Sequence, residues 1–463
     1  MPNSRLGRIG YSLVGVLALV ASACSQAAPS APASAPTSAP AAAAPTTAPA
    51  AAAPTSAPAA APTTAPAAAA PTTAPEAAAT SAPAAAGGSY PASIKLGINL
   101  PFTGADAADA ANIRDGALMA IDEINGKGGI GGKIKIEPLI KDDGTVAAGQ
   151  YDPAQAATNT KEFVADDTVV GIVGPQMSGS GKAMSPIASD ASLPIITPSS
   201  TNPDITDPKF ASQYRPKGPA IYFRTVTTDA YQGPNMANFA ASTLKIKSVY
   251  ILDDTGAYGE GIANSFEAQA KTKGINVLGH DKLNPKESDY TTVLTKIKGL
   301  NPDAIYYGGV QQAGVKLAKQ AYEVMPNVVK MGGDGMYSAD FIQQAGPASD
   351  GWYATIAAPN SIEEPQSQDW VKNYKAKYNH DPQAYALCAY DAVLVFSDAV
   401  ERLMKDGKPL TRENMRDYVQ TTNLKTLQGT IAYDDNGDLK EKVISVFQVK
   451  DNKYAYIGTA PQD

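Results

Sequence analysis

The residues best suited to binding chemistry lie where a short apolar run ends. Ser178 follows the run that ends at Gly174, and Gly179 and Gly181 beside it leave room for a ligand to approach closely. A helix is predicted to begin near Gly179, and the first turn of a helix offers unpaired N–H groups and the positive end of a dipole. Ser178 is therefore a candidate for binding a carboxylate, and the alternative is that it only caps the helix.

Two other segments approach known ion-binding motifs without completing them. Residues 180–183 look like part of a phosphate-binding loop, but Ala183 lacks the hydroxyl group that would bind magnesium. Residues 434–438 are rich in Asp, as in a calcium loop. Placing their glycine at the sixth position of such a loop puts Ala432 first and Val443 twelfth, so no calcium ligand set results.

The histidines and cysteines predict no catalytic or metal site. His280 and His380 are the only histidines, far apart in the sequence and each in a polar setting, which does not favour a serine triad or a zinc site. After Cys24 only Cys388 remains, so a disulfide framework within one mature chain is excluded. Cys388 lies in an apolar helical pattern and is predicted to be buried. The sequence therefore indicates no metal, no cofactor and no enzyme activity.

The elements that position Ser178 follow from the pattern of apolar residues. From Ser93 onward, short apolar runs alternate with helical patterns, which is typical of α/β units on a parallel sheet. Two comparable series of such units predict two lobes, with a ligand cleft at the carboxyl ends of their strands. Strands are predicted near residues 94–100, 133–136, 168–173, 193–197, 248–253, 275–278, 304–307 and 328–331. Helices are predicted near residues 113–125, from 153, from 179, and near 259–273, 289–299, 311–324, 368–378, 385–404 and 412–421, with a turn at 435–437.

The first 23 residues have the features of a signal peptide for export. Arg5 and Arg8 precede a short apolar run, which falls below the roughly 18 residues that a membrane-spanning helix needs. Residues 21–24 resemble a bacterial lipobox, which predicts that Cys24 is lipidated and becomes the mature N-terminus. The alternative is a soluble export signal whose cleavage site happens to adjoin a cysteine.

A low-complexity segment follows the predicted lipidation site. From residue 27 to about 86 the chain is nearly all Ala, Pro, Ser and Thr, and prolines at this density prevent helices and strand ladders. Residues 24–90 are therefore predicted to be a lipidated cysteine and a disordered tether. The formal net charge is −7, which argues against a nucleic-acid partner, and no later segment is apolar enough to span a membrane.

Several short motifs follow one another between about Ser93 and Gly458. They are Gly126-Lys127-Gly128-Gly129-Ile130, Ile196-Thr197-Pro198-Ser199-Ser200-Thr201, Arg224-Thr225 with Asp229 and Gln232-Gly233-Pro234, Tyr258-Gly259-Glu260-Gly261, Tyr306-Tyr307-Gly308-Gly309, and Asn436-Gly437-Asp438-Leu439-Lys440. Each motif is weak alone, but together their order and spacing are specific. In them the sequence resembles the type I periplasmic binding proteins of the leucine/isoleucine/valine and related amino-acid uptake family.

The resemblance implies a fold and a function. The fold is α/β, with two Rossmann-like lobes joined by three crossover strands near Val226, Ile356 and Gly429. The lobes would be residues 91–226 plus 358–429, and residues 227–357 plus 430–463. The function is that of the substrate-binding receptor of an ABC transporter, which passes a branched-chain or related amino acid to a membrane permease driven by an ATPase. The protein would act as a monomer, lipid-anchored on the outer face of the cytoplasmic membrane, without a cofactor.

The resemblance also implies roles for site residues. Ser178 and Thr201 would hold the α-carboxylate of the ligand, and the backbone carbonyl of Ser199 would accept from the α-ammonium. Asp334 would pair with that ammonium, and the alternative is a solvent-facing Asp-Gly turn. Tyr258 would close over the ligand. The further candidates for the pocket are Ser200, Gln176, Met177 and Tyr385.

Two positions depart from the branched-chain binders and leave the ligand open. Val310 replaces one tyrosine of the cleft, which enlarges or dries the pocket. Asp109 replaces another, and its charge would either serve a polar or cationic ligand or face water. The alternatives that remain are a binding protein of the same fold for urea, a short amide or an aromatic acid, a surface sensor, and an enzyme built on the fold, because a fold alone does not fix a function.

Overall fold

Two β-sheets organise residues 90–462, which are the residues that the structure, a computed structural model, describes. One sheet has five strands and the other has seven. The predicted signal peptide, the lipidation of Cys24 and nearly all of the predicted tether lie outside the described residues.

The five-stranded sheet is parallel, with strands in the order β2-β1-β5-β6-β7. Its central strand β5 is buried along its whole length, as expected where helices cover both faces of a parallel sheet. The elements of this part are β1 (Ser93–Leu100), α1 (Ala107–Gly126), β2 (Lys135–Asp142), β3 (Gly144–Thr145), β4 (Gln150–Tyr151), α2 (Pro153–Ala165), β5 (Val169–Val173), α3 (Ser178–Asp190), β6 (Ile195–Thr197), α4 (Ala211–Tyr214) and β7 (Tyr222–Arg224).

The seven-stranded sheet has the order β16-β15-β12-β11-β10-β8-β9. Strand β15 is antiparallel to both of its neighbours, β12 and β16, and all the other neighbouring strands are parallel. The elements up to its fifth strand are α5 (Asp229–Ser242), β8 (Ser248–Asp253), α6 (Ala257–Thr272), β9 (Asn276–Lys282), α7 (Thr291–Gly299), β10 (Ala304–Gly308), α8 (Gln311–Val324), β11 (Val329–Gly332), α9 (Ala339–Ala345) and β12 (Tyr353–Ile356). The rest are α10 (Gln368–Tyr378), α11 (Ala384–Lys405), α12 (Arg412–Gln420), β13 (Asn423–Thr426), β14 (Gly429–Ala432), β15 (Ser445–Lys450) and β16 (Lys453–Thr459).

These sheets and their helices form the predicted α/β fold of two Rossmann-like lobes joined by three crossovers. Two of the crossings are adjacent, because the backbone N–H of Thr227 donates to the carbonyl of Ala357 at 2.8 Å. The exact lobe boundaries stay a prediction. Within residues 90–462, no helix has the length and apolar character needed to cross a membrane.

The helices α1 and α11 pack closely enough to bring their N-terminal ends together. A Cβ atom on Gly116 of α1 would lie 1.9 Å from the carbonyl oxygen of Ala386 in α11, so only glycine permits this approach. One turn earlier, Asn112 Oδ1 accepts a 2.9 Å hydrogen bond from the backbone N–H of Gln383. Cys388 of α11 is buried and unpaired, which confirms its prediction as a buried side chain.

Candidate functional site

A cavity lies where the carboxyl ends of strands from both lobes meet. It contains about 560 Å³ of space between atoms, part of which is open to solvent. Its walls come from the starts of α1, α3, α6, α8 and α11 and from the loops after β6 and β11. Nine predicted site residues line it: Asp109, Gln176, Met177, Ser178, Ser199, Tyr258, Val310, Asp334 and Tyr385.

Ser178 presents a hydroxyl group whose acceptor sites are already used. Its Oγ accepts from Ser200 Oγ at 3.3 Å and from the backbone N–H of Asn202 at 3.2 Å. A serine hydroxyl has two acceptor lone pairs and one O–H, so the O–H is left to donate to a ligand. Ser178 is also the first residue of α3, and no side chain caps this helix start. The unpaired N–H groups and the helix dipole therefore favour a carboxylate here.

The loop after β6 is fastened to the loop that precedes α3. Thr197 Oγ1 donates to the carbonyl of Pro175 at 2.6 Å and accepts from the backbone N–H of Ser200 at 2.9 Å. Ser199 Oγ donates to the carbonyl of Gln176 at 3.0 Å. These bonds fix the position of Ser199 in the cavity wall.

Arg224, at the end of β7, holds the same loop from behind. Its buried guanidinium group donates to the carbonyls of Ser200 and Asn202 at 2.9 and 2.7 Å and to Thr206 Oγ1 at 2.7 Å. It also forms an ion pair with Asp438. The sequence motif contained Arg224 without assigning it a role, and its role in the structure is to position the loop.

Ser200 and Thr201 are the two predicted site residues that do not line the cavity. Both are buried, and Thr201 Oγ1 donates to Asp229 Oδ2 at 3.0 Å. The Ser200 hydroxyl reaches the cavity only through its bond to Ser178. Direct contact of Ser200 and Thr201 with a ligand therefore stays a prediction, and the bonds described here are structural.

Asp334 is a buried carboxylate held by three donors. Tyr258 and Gln232 donate to its Oδ1 at 2.7 and 2.6 Å, and Tyr385 donates to its Oδ2 at 2.8 Å. Burial raises the pKa of Asp334, and the three hydrogen bonds oppose that rise. Asp334 is only 8% exposed, so the alternative of a solvent-facing turn is wrong.

A second buried acid, Asp229, lies behind Asp334. Gln232 Nε2 donates to Asp229 Oδ1 at 2.9 Å as well as to Asp334. Burial and the charge of Asp334 raise the pKa of Asp229 well above its usual range. No lysine, arginine or histidine is among the residues lining the cavity, so this acidic pair favours a ligand that brings a positive charge.

Asp109 connects the two lobes beside the cavity. Its carboxylate accepts from Gln311 Nε2 at 2.5 Å, from Ser338 Oγ at 2.8 Å and from Gln383 Nε2 at 3.1 Å. Burial raises the pKa of Asp109 to about 6, against the effect of these bonds. Its carboxylate thus faces protein donors rather than bulk water, and two of them belong to the seven-stranded lobe.

Sequence reasoning missed four polar residues of the cavity wall: Asp106, Asn112, Gln311 and Gln383. Each lies next to or within the first two turns of a helix, where polar residues usually serve as caps. The described residues contain no group of three or more His, Cys, Asp or Glu that could hold a metal ion.

Apolar side chains close the rest of the cavity. Met177, Tyr258 and Val310 form one buried cluster with Tyr151 and Ile262. Val310, predicted to stand where the branched-chain binders have a tyrosine, contributes a smaller side chain to this cluster. The site therefore combines a helix start at Ser178, the buried acid Asp334 and an apolar cluster.

Comparisons with known proteins give consistent matches. The sequence model of a family described as "Periplasmic binding protein" matches residues 93–454. The leucine-, isoleucine-, valine-, threonine- and alanine-binding protein of Pseudomonas aeruginosa is 32% identical over 358 residues, which cover 77% of this chain and 90% of that protein.

Solved structures agree with the sequence matches. The branched-chain amino acid transporter substrate-binding protein LivJ of Streptococcus pneumoniae, solved with isoleucine, is 27% identical, with a TM-score of 0.69 over 80% of this chain and 100% of that one. The leucine-binding protein LivK of Thermotoga maritima is 26% identical, with a TM-score of 0.69 over 79% of this chain and 98% of that one.

Proposed function

The chain belongs to the periplasmic binding protein family, and from this premise we propose that it is the substrate-binding receptor of an ABC uptake transporter. It captures an amino acid, branched-chain or related, in the cleft between its lobes and delivers it to a membrane permease driven by an ATPase. Relatives named for leucine, isoleucine and valine, and a relative solved with isoleucine, support this proposal.

One pairing of groups carries the amino-acid assignment. The O–H of Ser178 and the start of α3 suit a carboxylate, while Asp334 lines the same cavity with a carboxylate of its own. An α-amino acid carries one carboxylate and one ammonium group. The ammonium of the ligand would pair with the carboxylate of Asp334. Without that cation the charge of Asp334 would be buried unpaired when the cleft closes, so the pairing favours binding.

We propose that the site binds its ligand without changing it, because the proteins that this chain resembles are binding proteins. The hydroxyl of Ser178 has Ser200 and a backbone N–H as partners, whereas a serine nucleophile would need an adjacent base to take its proton.

The location of the protein follows in part from its family. As a periplasmic binding protein the chain is extracytoplasmic. We further propose that Cys24 is lipidated, that residues 24–90 form a flexible tether and that the receptor is a monomer. A tether of this kind keeps the receptor close to its permease and raises its local concentration there.

A ligand screen by thermal shift tests the function. A ligand that binds only the folded state raises the melting temperature, so the twenty amino acids, urea, short amides and aromatic acids are compared at one concentration. We expect α-amino acids to raise the melting temperature. A rise with urea or an aromatic acid and with no amino acid would contradict the assignment, and amino-acid uptake that survives deletion of the gene would favour a sensor.

A further inference from the structure

We propose that the ligand bears a second, positively charged donor group at the end of its side chain. The cavity would then take a diamino or guanidino α-amino acid, such as lysine, ornithine or arginine. This inference rests on the proposed function, because it takes the sites for the α-carboxylate and the α-ammonium as given.

The cavity wall contains three buried acceptor atoms that have no donor. They are Asp106 Oδ2, Gln176 Oε1 and Gln311 Oε1, and the three residues are only 1%, 8% and 3% exposed. Buried acceptors are normally hydrogen-bonded. Because all three line the cavity, a ligand that supplies N–H groups would satisfy atoms that the protein leaves unsatisfied.

The orientation of Gln311 is set by the protein. Its Nε2 donates to Asp109 Oδ2 at 2.5 Å, so turning the amide over would remove that bond and set two acceptors against each other. The amide oxygen of Gln311 therefore remains an acceptor. Neutral aliphatic side chains provide no donor for it.

The strongest charge effects on Asp106 come from other carboxyl groups. Burial and the nearby carboxylates of Asp109, Asp143 and Asp254 act on Asp106, and the backbone N–H of Tyr151 is the donor that opposes them. These groups come from α1, the loop after β2, the loop after β8 and β4. Since no basic side chain lines the cavity, a cation at this end would come from the ligand.

Asp106 and Asp334 belong to separate acidic centres. The strongest charge effect on Asp229 comes from Asp334 and is opposed by Arg224, and Asp334 is already surrounded by Tyr258, Tyr385 and Gln232. A zwitterion with an apolar side chain brings one positive charge and can serve one centre only. A diamino acid brings a positive charge for each.

The opposing explanation is that Asp106 is protonated and neutral. Burial raises the pKa of Asp106 to about 7, so ionised and neutral forms coexist near neutral pH. If a ligand cation pairs with Asp106, it binds the ionised form, and its affinity must increase as the pH rises from 6 to 8. The affinity of a ligand without that cation depends on the same other titrating groups of the cavity. Its pH dependence therefore serves as the reference.

Isothermal titration of the whole mature chain decides between these cases. Lysine is compared with norleucine and ornithine with norvaline, because each pair differs in the terminal ammonium group. We expect the diamino acid of each pair to bind at least about tenfold more tightly, and this ratio to grow between pH 6 and pH 8. Norleucine binding as tightly as lysine at both pH values would overturn the inference and leave the proposed function intact.

Two substitutions test whether the preference for lysine over norleucine depends on Asp106. Asp106→Asn should remove the preference for lysine over norleucine, whereas the buried Asp391, which lies outside the cavity wall, gives a control in Asp391→Asn that retains the preference. If Asp106→Asn does not fold, the ligand pairs and the pH comparison on the parent protein still decide. Failure of every α-amino acid to bind would overturn the proposed function and this inference together.

Discussion

The hydroxyl group of Tyr385 donates a 2.8 Å hydrogen bond to Oδ2 of Asp334, so the start of α11 contacts the loop after β11. Tyr258 occupies the other carboxylate oxygen at 2.7 Å and itself accepts from the backbone N–H of Gly335 at 2.9 Å. These protein donors hold the carboxylate of Asp334 in one orientation. Preorganised groups of this kind lose little freedom on binding.

Neutralising Asp334 should weaken ligand binding more than removing the Ser178 hydroxyl. Asp334→Asn keeps the shape but removes the charge that pairs with an ammonium group, which should cost about 2–5 kcal/mol, mostly through faster release. Ser178→Ala should cost about 1–3 kcal/mol, because the N–H groups of α3 still bind the carboxylate. Isothermal titration measures both losses. Parent-like affinity in Asp334→Asn would show that the ligand has no α-amino group.

Ligand binding should bring the lobes together, with Asp109 stabilising the closed arrangement. Asp109 accepts from Gln311 and Ser338 across the lobes, so Asp109→Ala should release ligand faster with little change in the association rate.

Small-angle scattering should give a smaller radius of gyration for the parent protein with ligand than without it. A radius that stays constant at saturating ligand would rule out a hinged clamp.

The pH dependence of stability should reveal the buried carboxyl group of Asp391. Burial raises the pKa of Asp391 to about 7 from its usual 3.8, and its Oδ1 has no hydrogen-bond partner. The folded state thus binds the proton more strongly than the unfolded state, so the free energy of unfolding falls as the pH rises from about 4 to 7.

Asp391→Asn removes the contribution of this group to the pH dependence, while other buried acids with raised pKa values, such as Asp106 and Asp109, keep theirs. The variant should be more stable than the parent by about 1–4 kcal/mol above pH 7, and the gain should shrink towards pH 4. Chemical denaturation across this pH range measures the effect, and ligand affinity at neutral pH is the control that should not change. An equal effect at pH 4 and pH 8 would mean that Asp391 does not titrate in this range.

Deleting residues 27–86 should leave the folded part unaffected. A segment of Ala, Pro, Ser and Thr has almost nothing to bury, so the melting temperature and ligand affinity of the purified protein should stay within error. Uptake by cells should fall, because the receptor loses its reach to the permease. Marked destabilisation of the shortened chain would indicate that the segment packs on the lobes.

Central elements could be predicted from the sequence, whereas edge strands were predicted too short. The predicted ranges of β8, α8 and α10 match the structure, because apolar residues cover their whole buried faces. The predicted strand at 133–136 in fact extends over Lys135–Asp142, and that at 275–278 over Asn276–Lys282. Both strands lie at the edges of their sheets, where polar residues and a proline such as Pro138 are tolerated. The apolar runs in the sequence therefore end before the strands do.

The site could be predicted where one residue follows one strand, as with Ser178 and Asp334. It could not where residues distant in sequence meet through packing. Asn112 and Gln383 come together because α1 approaches α11 at Gly116, and a polar residue near a helix start gives no sign of such a partner. The ligand roles of the predicted residues stay predictions until the titrations are made.

The buried thiol of Cys388 has a practical consequence. Cys388 is 1% exposed, and burial raises its pKa well above the usual range, so it stays protonated and inaccessible to alkylating reagents. The sequence has two cysteines, and a secreted form without Cys24 would have no reactive thiol. Cysteines introduced at exposed positions such as Val146 and Tyr322 would accept a pair of fluorescent dyes selectively. Closure of the lobes would then change the efficiency of energy transfer between the two dyes. The chain could therefore serve as the scaffold of an optical amino-acid sensor.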